Sequence, residues 1–269
     1  MQIFARAKQM KLNSYDDALV YFGNEEKTMY DINELDDGLL IRMAMKRNHI
    51  YALENLKKKR SKAGEVSELS KEEISNCFQN AEHKWYVEWE QSKRDSSIYA
   101  ALSIRGKLLM MGLDVVKKSA GTNCLSWQEY MDWYAGTDLP AYENNTENGH
   151  GQSRRKGIEF QESRAKNMAR QEHLRWNAYM ISRGIVPAPI DAILHEKNAE
   201  GHFTNGTNYQ MRRHGNLTTF DGLVQFRRLV AERDGCSEES ADVINYDYQV
   251  MDDAWWILDE MGYGMIRIR

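Results

Sequence analysis

Apolar positions recur along most of this chain with the period of a helix. In "LDDGLLIRMAMKRNHIYALENLKKK", Leu39, Leu40, Met43, Ala44, Ile50 and Leu53 stand among charges and predict a helix. "EEISNCFQNAEHKWYVEWEQSKR" reads as helical around Trp85 and Trp89. "DSSIYAALSIRGKLLMMG" follows, with Ile98, Leu102, Arg105 and Leu109 at helical spacing, Asp95 or Ser96 placed to cap it and Gly112 to end it. "SWQEYMDWYAG" is a further short helix, and "EFQESRAKNMARQEHLRWNAYMISRG" is one long helix closed by Gly184. "LTTFDGLVQFRRLVAERDG" opens like a capping box, Thr218 with Asp221 three residues on. "YDYQVMDDAWWILDEMGYG" reads as one last helix, with either Trp255 or Trp256 in its core.

Strand signals are sparse. "QIFARA" and "ALVYFG" lie in the first 35 residues, and "MIRIR" alternates at the C terminus. "KKKRSKAGEVSELSKEE" is a charged, solvated excursion, and residues 185–216 read as irregular. Residues 136–157 are rich in Asn, Gly and Ser and poor in large apolar side chains, which marks a linker. The expected organisation is a mainly α fold with short peripheral strands: a helical region over 1–135, a linker over 136–157 and a second helical domain over 158–269.

Composition narrows the class. Of the 269 residues 42% are hydrophobic, enough for a sizeable core, and the 14 Met against 3 Pro favour helix. The net charge of −4 gives no reason to expect DNA, RNA or an anionic membrane as partner. No apolar run approaches the roughly 18 residues that span a bilayer, and the N terminus lacks the apolar core of a signal peptide. Cys77, Cys124 and Cys236 are widely spaced and odd in number, the pattern of reduced thiols, so a cytoplasmic protein is expected.

One helix poses a chemical question. Following "QEHLRWNAYMISRG" at spacing three and four, the inward face runs Ala165, Ala169, Glu172 or His173, Trp176 and Met180. Burying an unpaired imidazole costs roughly 2 kcal/mol or more, so His173 needs a partner. It is either a structural pin on backbone carbonyls or, with Trp176, part of a ligand pocket. "MAMKRNHIYAL" from Met43 echoes "MARQEHLRWNA" from Met168, pairing Asn48 with His173 and Tyr51 with Trp176.

"EHLRWNAYMISRGI" followed by "RRHGNLTTFDGL" resembles the repeat domain of ryanodine receptors in its bacterial form. The positions that carry the resemblance are His173, Trp176, Gly184, Arg213, His214 and Leu217. Two positions depart from the family pattern: Ile185 stands where an aromatic is usual, and Thr218-Thr219 where a proline is usual. "ILDEMGYGMIRI" is similar to that domain's final helix and strand. The segments around residues 21–53 and 89–113 resemble the part that, in larger bacterial proteins, links a Rossmann-type region like those of potassium-uptake regulators to such a domain. No GxGxxG follows a strand here, so the dinucleotide site itself is missing. The resemblance implies a helical, regulatory or ligand-sensing module.

Candidate chemistry is basic and aromatic. There is no GxSxG elbow, P-loop, HExxH or paired CxxC, and the seven His form no pair with metal spacing, so neither catalysis, metal nor cofactor is expected. Arg212, Arg213 and His214 precede the helix that starts near Thr218, where free N–H groups would suit a phosphate or carboxylate. Arg175, Trp176, Asn177 and Tyr179 lie on the preceding long helix and could stack on and read a base. The same arginines could equally form surface ion pairs. Two functions follow: a sensor of a small anionic, nucleotide-derived molecule, or an interaction module of a larger assembly, homo-oligomeric or otherwise. An exposed patch around Trp127, Trp133 and Tyr134 would favour the second.

Overall fold

The computed structural model describes residues 39–62, 69–88, 91–136, 142–147, 150–155, 162–197, 201, 203, 207–208, 211–236 and 245–268. The strand candidates "QIFARA" and "ALVYFG" lie outside these. The fold is mainly α with short strands. Its helices are α1 (Leu39–Lys62), α2 (Lys71–His83), α3 (Gln91–Met110), α4 (Trp127–Tyr134), α5 (Arg164–Ser182), α6 (Ile190–His195), α7 (Phe220–Asp234), α8 (Asn245–Asp252) and α9 (Ala254–Glu260). A π-helical turn, Lys84–Glu88, extends α2 and buries Trp85. The strands are β1 (Leu113–Lys117), β2 (Tyr142–Glu147), β3 (His150–Arg155), β4 (Val186–Pro187), β5 (Thr207–Asn208), β6 (Arg213–His214) and β7 (Tyr263–Arg267).

Except for α6, which with β4, β5 and β6 lies in residues 185–216 that read as irregular, the helices form where the apolar period predicts them, with local differences at their ends. α1 buries Leu39, Met43, Ile50 and Leu53 along one stripe. α3 starts at Gln91, so Asp95 and Ser96 lie inside it rather than capping it. Ser70 and Ser126 close reciprocal capping boxes with Glu73 and Glu129 at the starts of α2 and α4. The cap of α7 is Thr219, one residue beyond the expected Thr218, and its hydroxyl accepts from the Gly222 N–H. The single helix expected over 246–264 is broken at Asp253 into α8 and α9. There Ala254, Ile257 and Leu258 fill the core, while Trp255 and Trp256 are both half-buried, against the expectation that one is core.

Leu39–Arg269 forms one compact unit. β1 pairs antiparallel with β7, Leu113 opposite Arg267 and Lys117 opposite Tyr263, joining chain segments 150 residues apart in register. α5 packs on α3 and α8, and α1 on α2 and α3. The core therefore draws on both sides of residues 136–157: Ile104 and Leu108 from α3, Tyr134 from α4, Ala165 and Ala169 from α5, Met251 from α8. β2 and β3, which fall in the stretch expected to be a linker, pair antiparallel, Tyr142 opposite Arg155 and Glu147 opposite His150. Polar residues can form such a ladder because its bonds are made by the backbone. A smaller cluster of Ala188, Ile193, Leu194 and Phe226 joins α6 to α7, and β4, β6 and β5 form a three-stranded sheet in that order.

β7 needs Gly264. A Cβ there would lie 2.3 Å from Cys124 Sγ and 2.7 Å from its Cβ. The bare backbone lets residues 122–126 run alongside, with the Leu125 N–H donating to the Met265 carbonyl.

Candidate functional site

α5 distributes the predicted site residues in two directions. Glu172, Arg175 and Tyr179, at i, i+3 and i+7, turn toward α3, while His173, Trp176 and Asn177 turn toward the segment entering α7.

The second group does meet. His173 is 2% exposed, and its Nε2 lies 2.8 Å from the Thr218 carbonyl oxygen while its Nδ1 lies 3.2 Å from Asp247 Oδ2. Asn177 Nδ2 donates to the same Thr218 carbonyl at 2.9 Å. The Trp176 ring lies 6.1 Å from His173 and presents a T-shaped contact to His214 at 5.1 Å. His214 accepts the Asn216 N–H on Nδ1, and burial pulls its pKa down to about 4. It is thus a neutral ring rather than a cation for a ligand. Burial draws His173 down too, but the hydrogen bond and charge of Asp247, with the Thr218 carbonyl, outweigh it and raise its pKa. Asp247 lies outside the predicted set; only the tertiary packing of α8 on α5 reveals it.

The arginines are engaged. Arg213 Nη2 donates to Glu196 Oε1 at 2.7 Å, and Asn208 donates to that same oxygen. Arg212 has φ of 50°, and its guanidinium lies over Gly184 and donates to the Arg183 carbonyl at 3.0 Å. A Cβ on Gly184, itself at φ 75°, would meet that guanidinium at 3.1 Å. Arg212 is therefore a cationic cap on the C terminus of α5. Tyr179 packs at 5.7 Å against Tyr99 of α3.

On the α3 side lies a buried charge cluster that sequence spacing did not reveal. Glu172, 2% exposed, accepts from Lys107 Nζ at 2.5 Å and from Arg175 Nε and Nη2 at 2.9 and 2.6 Å. Burial alone would raise the Glu172 carboxyl, but Lys107, Arg175 and Arg47 hold it down at about 2. Burial lowers Lys107 and Arg47 in turn, with Glu172 opposing. Arg175 is thus an internal brace, and the cluster ties α1, α3 and α5 together.

The aromatic patch expected around Trp127, Trp133 and Tyr134 is not an exposed surface. Tyr134 is fully buried, and the other two are half-buried. Trp133 donates to the Met111 carbonyl and lies against the guanidiniums of Arg164 and Arg267, at 4.1 and 5.0 Å. The outward stripe of α5 begins polar, with Asn167 and Gln171 exposed, and becomes apolar in its second half: Leu174 at 59% and Ile181 at 55%, with Ala178 between them. Just beyond its C terminus follow Val186 and, beside the Val186–Arg212 backbone bond, Met211, both exposed.

Among the described residues no helix is long and apolar enough to cross a membrane, and no group of three or more His, Cys, Asp or Glu is placed to hold a metal ion. The His173–Asp247 pair has the composition of a catalytic dyad, but His173 Nε2 is buried against the Thr218 carbonyl oxygen at 2.8 Å, where a substrate would have to stand. No protein-family model, curated protein or solved structure matches the chain.

Proposed function

We propose that the chain is a non-enzymatic interaction module that docks a neighbouring subunit through the outward stripe of α5. The observation that carries this reading is the exposure of Leu174 and Ile181 at i and i+7 on a helix whose remaining faces are occupied by internal bonds. Ala178 at the centre allows a second helix to approach closely. A twofold axis through it would set Leu174 of one copy against Ile181 of the other, a self-complementary arrangement. The resemblance to ryanodine-receptor repeats, which sit at the periphery of a large assembly and touch neighbours, points the same way.

Sedimentation velocity across the micromolar range tests it. The wild type is expected to self-associate, whereas Leu174→Asp and Ile181→Asp remain monomeric with unfolding free energies within about 0.5 kcal/mol of wild type, as exposed positions should. A wild type monomeric throughout would remove the self-docking reading.

A second reading, sensing of a small anionic, nucleotide-derived molecule, has its own support. Arg213 and Glu196 meet through a single N–O pair, leaving Arg213 Nε and Glu196 Oε2 buried without partners. An anion able to use both nitrogens of the fork would compete with Glu196. Calorimetry with mono-, di- and cyclic nucleotides should then show binding that strengthens in Glu196→Gln and weakens by roughly 1.5 to 3 kcal/mol in Arg213→Ala. Absence of heat at millimolar nucleotide removes this reading.

A further inference from the structure

The Thr218 carbonyl can only accept, and Asp247 while ionised can only accept, so against that carboxylate a ring that satisfies both neighbours must donate from both nitrogens, and only the imidazolium does that. We propose that His173 is a proton-gated latch: as an imidazolium it ties α5 to α8 through Asp247 and to the entry of α7 through Thr218, and loss of its proton releases the Thr218 side.

The surroundings favour this order of release. Asp247 of α8 is 8% exposed, so the carboxylate keeps a strong claim on the remaining N–H. Nε2 would then turn a lone pair toward the Thr218 oxygen, which repels it, and only Asn177 would still hold that carbonyl. The other groups facing the ring cannot take over. Phe220, at the start of α7, and Trp176 of α5 present aromatic rings, and His214 of β6 makes its ring contact with Trp176. Glu172 of α5 adds negative charge that favours the proton. Arg175 and, from α1, Arg47 act on Asp247 in the opposite sense. Burial pushes the Asp247 carboxyl up while His173 draws it down, so proton sharing across the 3.2 Å contact leaves the proton count of the pair unchanged.

The direction of the pH effect follows. With the folded His173 raised above its ordinary 6.5, its contribution is complete below that value and is lost as pH rises through the folded value. The latch is closed below the ordinary value and opens as pH rises through the raised one. What it holds is the first turn of α7, where Thr219 receives the Gly222 and Leu223 N–H groups. This inference does not depend on the docking reading, since no exposed residue of α5 enters it.

Two measurements on the full chain test it. In histidine labelled with nitrogen-15, both ring nitrogens of His173 should carry imidazolium shifts at about pH 6 and titrate above the ordinary value. Over the same range the protection of the Gly222 and Leu223 amides, corrected for intrinsic exchange, should fall by about tenfold, the scale of losing one hydrogen bond to a charged group. Asp247→Asn should move the titration down and bring the loss of protection to lower pH. A single neutral tautomer at about pH 6, or protection that stays constant through the titration, overturns the proposal.

Discussion

Glu172→Gln is expected to destabilise the fold by roughly 3 to 5 kcal/mol, the usual cost of leaving buried charges without their counter-ion. The substitution keeps the shape of the side chain and removes one charge. Lys107 Nζ, which rests on Glu172 at 2.5 Å with its side chain 6% exposed, and Arg175, which grips both carboxylate oxygens, would then face each other and Arg47 across a neutral amide. Denaturant unfolding monitored by tryptophan fluorescence measures the loss directly. Adding Lys107→Met to Glu172→Gln should recover part of it, because an apolar chain replaces a buried, unpaired ammonium. A loss below about 1 kcal/mol would mean that water reaches the cluster and screens it. The same cluster predicts acid sensitivity. Glu172 is held at about 2, so its stabilisation is complete above the unfolded value of about 4.3 and drains away as pH falls toward about 2.

Tyr134→Ala is expected to cost a similar amount, roughly 3 to 5 kcal/mol, as for other large aromatic truncations in a core. Its ring is fully buried and stacks on Tyr130 with centroids 5.5 Å apart and planes 2° from parallel. Both hydroxyls reach across to α8: Tyr134 Oη donates to Asp252 Oδ1 at 2.8 Å and Tyr130 Oη to the Met251 carbonyl at 2.7 Å. The pair clips α4 to the point where α8 breaks into α9. Tyr134→Phe keeps the ring and drops one donor to a buried carboxylate, so it should cost less, roughly 1 to 3 kcal/mol. Thermal melts of the two variants should fall in that order. Equal melting of Tyr134→Phe and wild type would show that the hydroxyl contributes nothing to the clip.

Local order was legible in the sequence where a local rule governs it. The apolar period located α1, α4, α5 and α7, because a helix has to place its core residues on one stripe whatever it packs against. Gly184 ended α5 because its φ of 75° suits a residue without a Cβ. His173 was legible as a residue needing a partner, since an imidazole on an inward face cannot stay unpaired. Its burial and the Thr218 contact match the structural-pin alternative.

The tertiary structure decided who the partners are. Asp247 lies 74 positions from His173, and Lys107 is 65 from Glu172; no spacing rule relates residues so far apart. It decided that Arg213 meets Glu196 and Arg212 the end of α5, because whether an arginine is free depends on which carboxylate or carbonyl folds beside it. It decided that β2 pairs with β3, since strand pairing is a relation between segments that a polar composition neither demands nor forbids. Helical period and caps act over about four residues and are written locally. Ion pairs, strand register and the choice between a surface and a core arginine act through space, and they exist only once the chain has closed on itself.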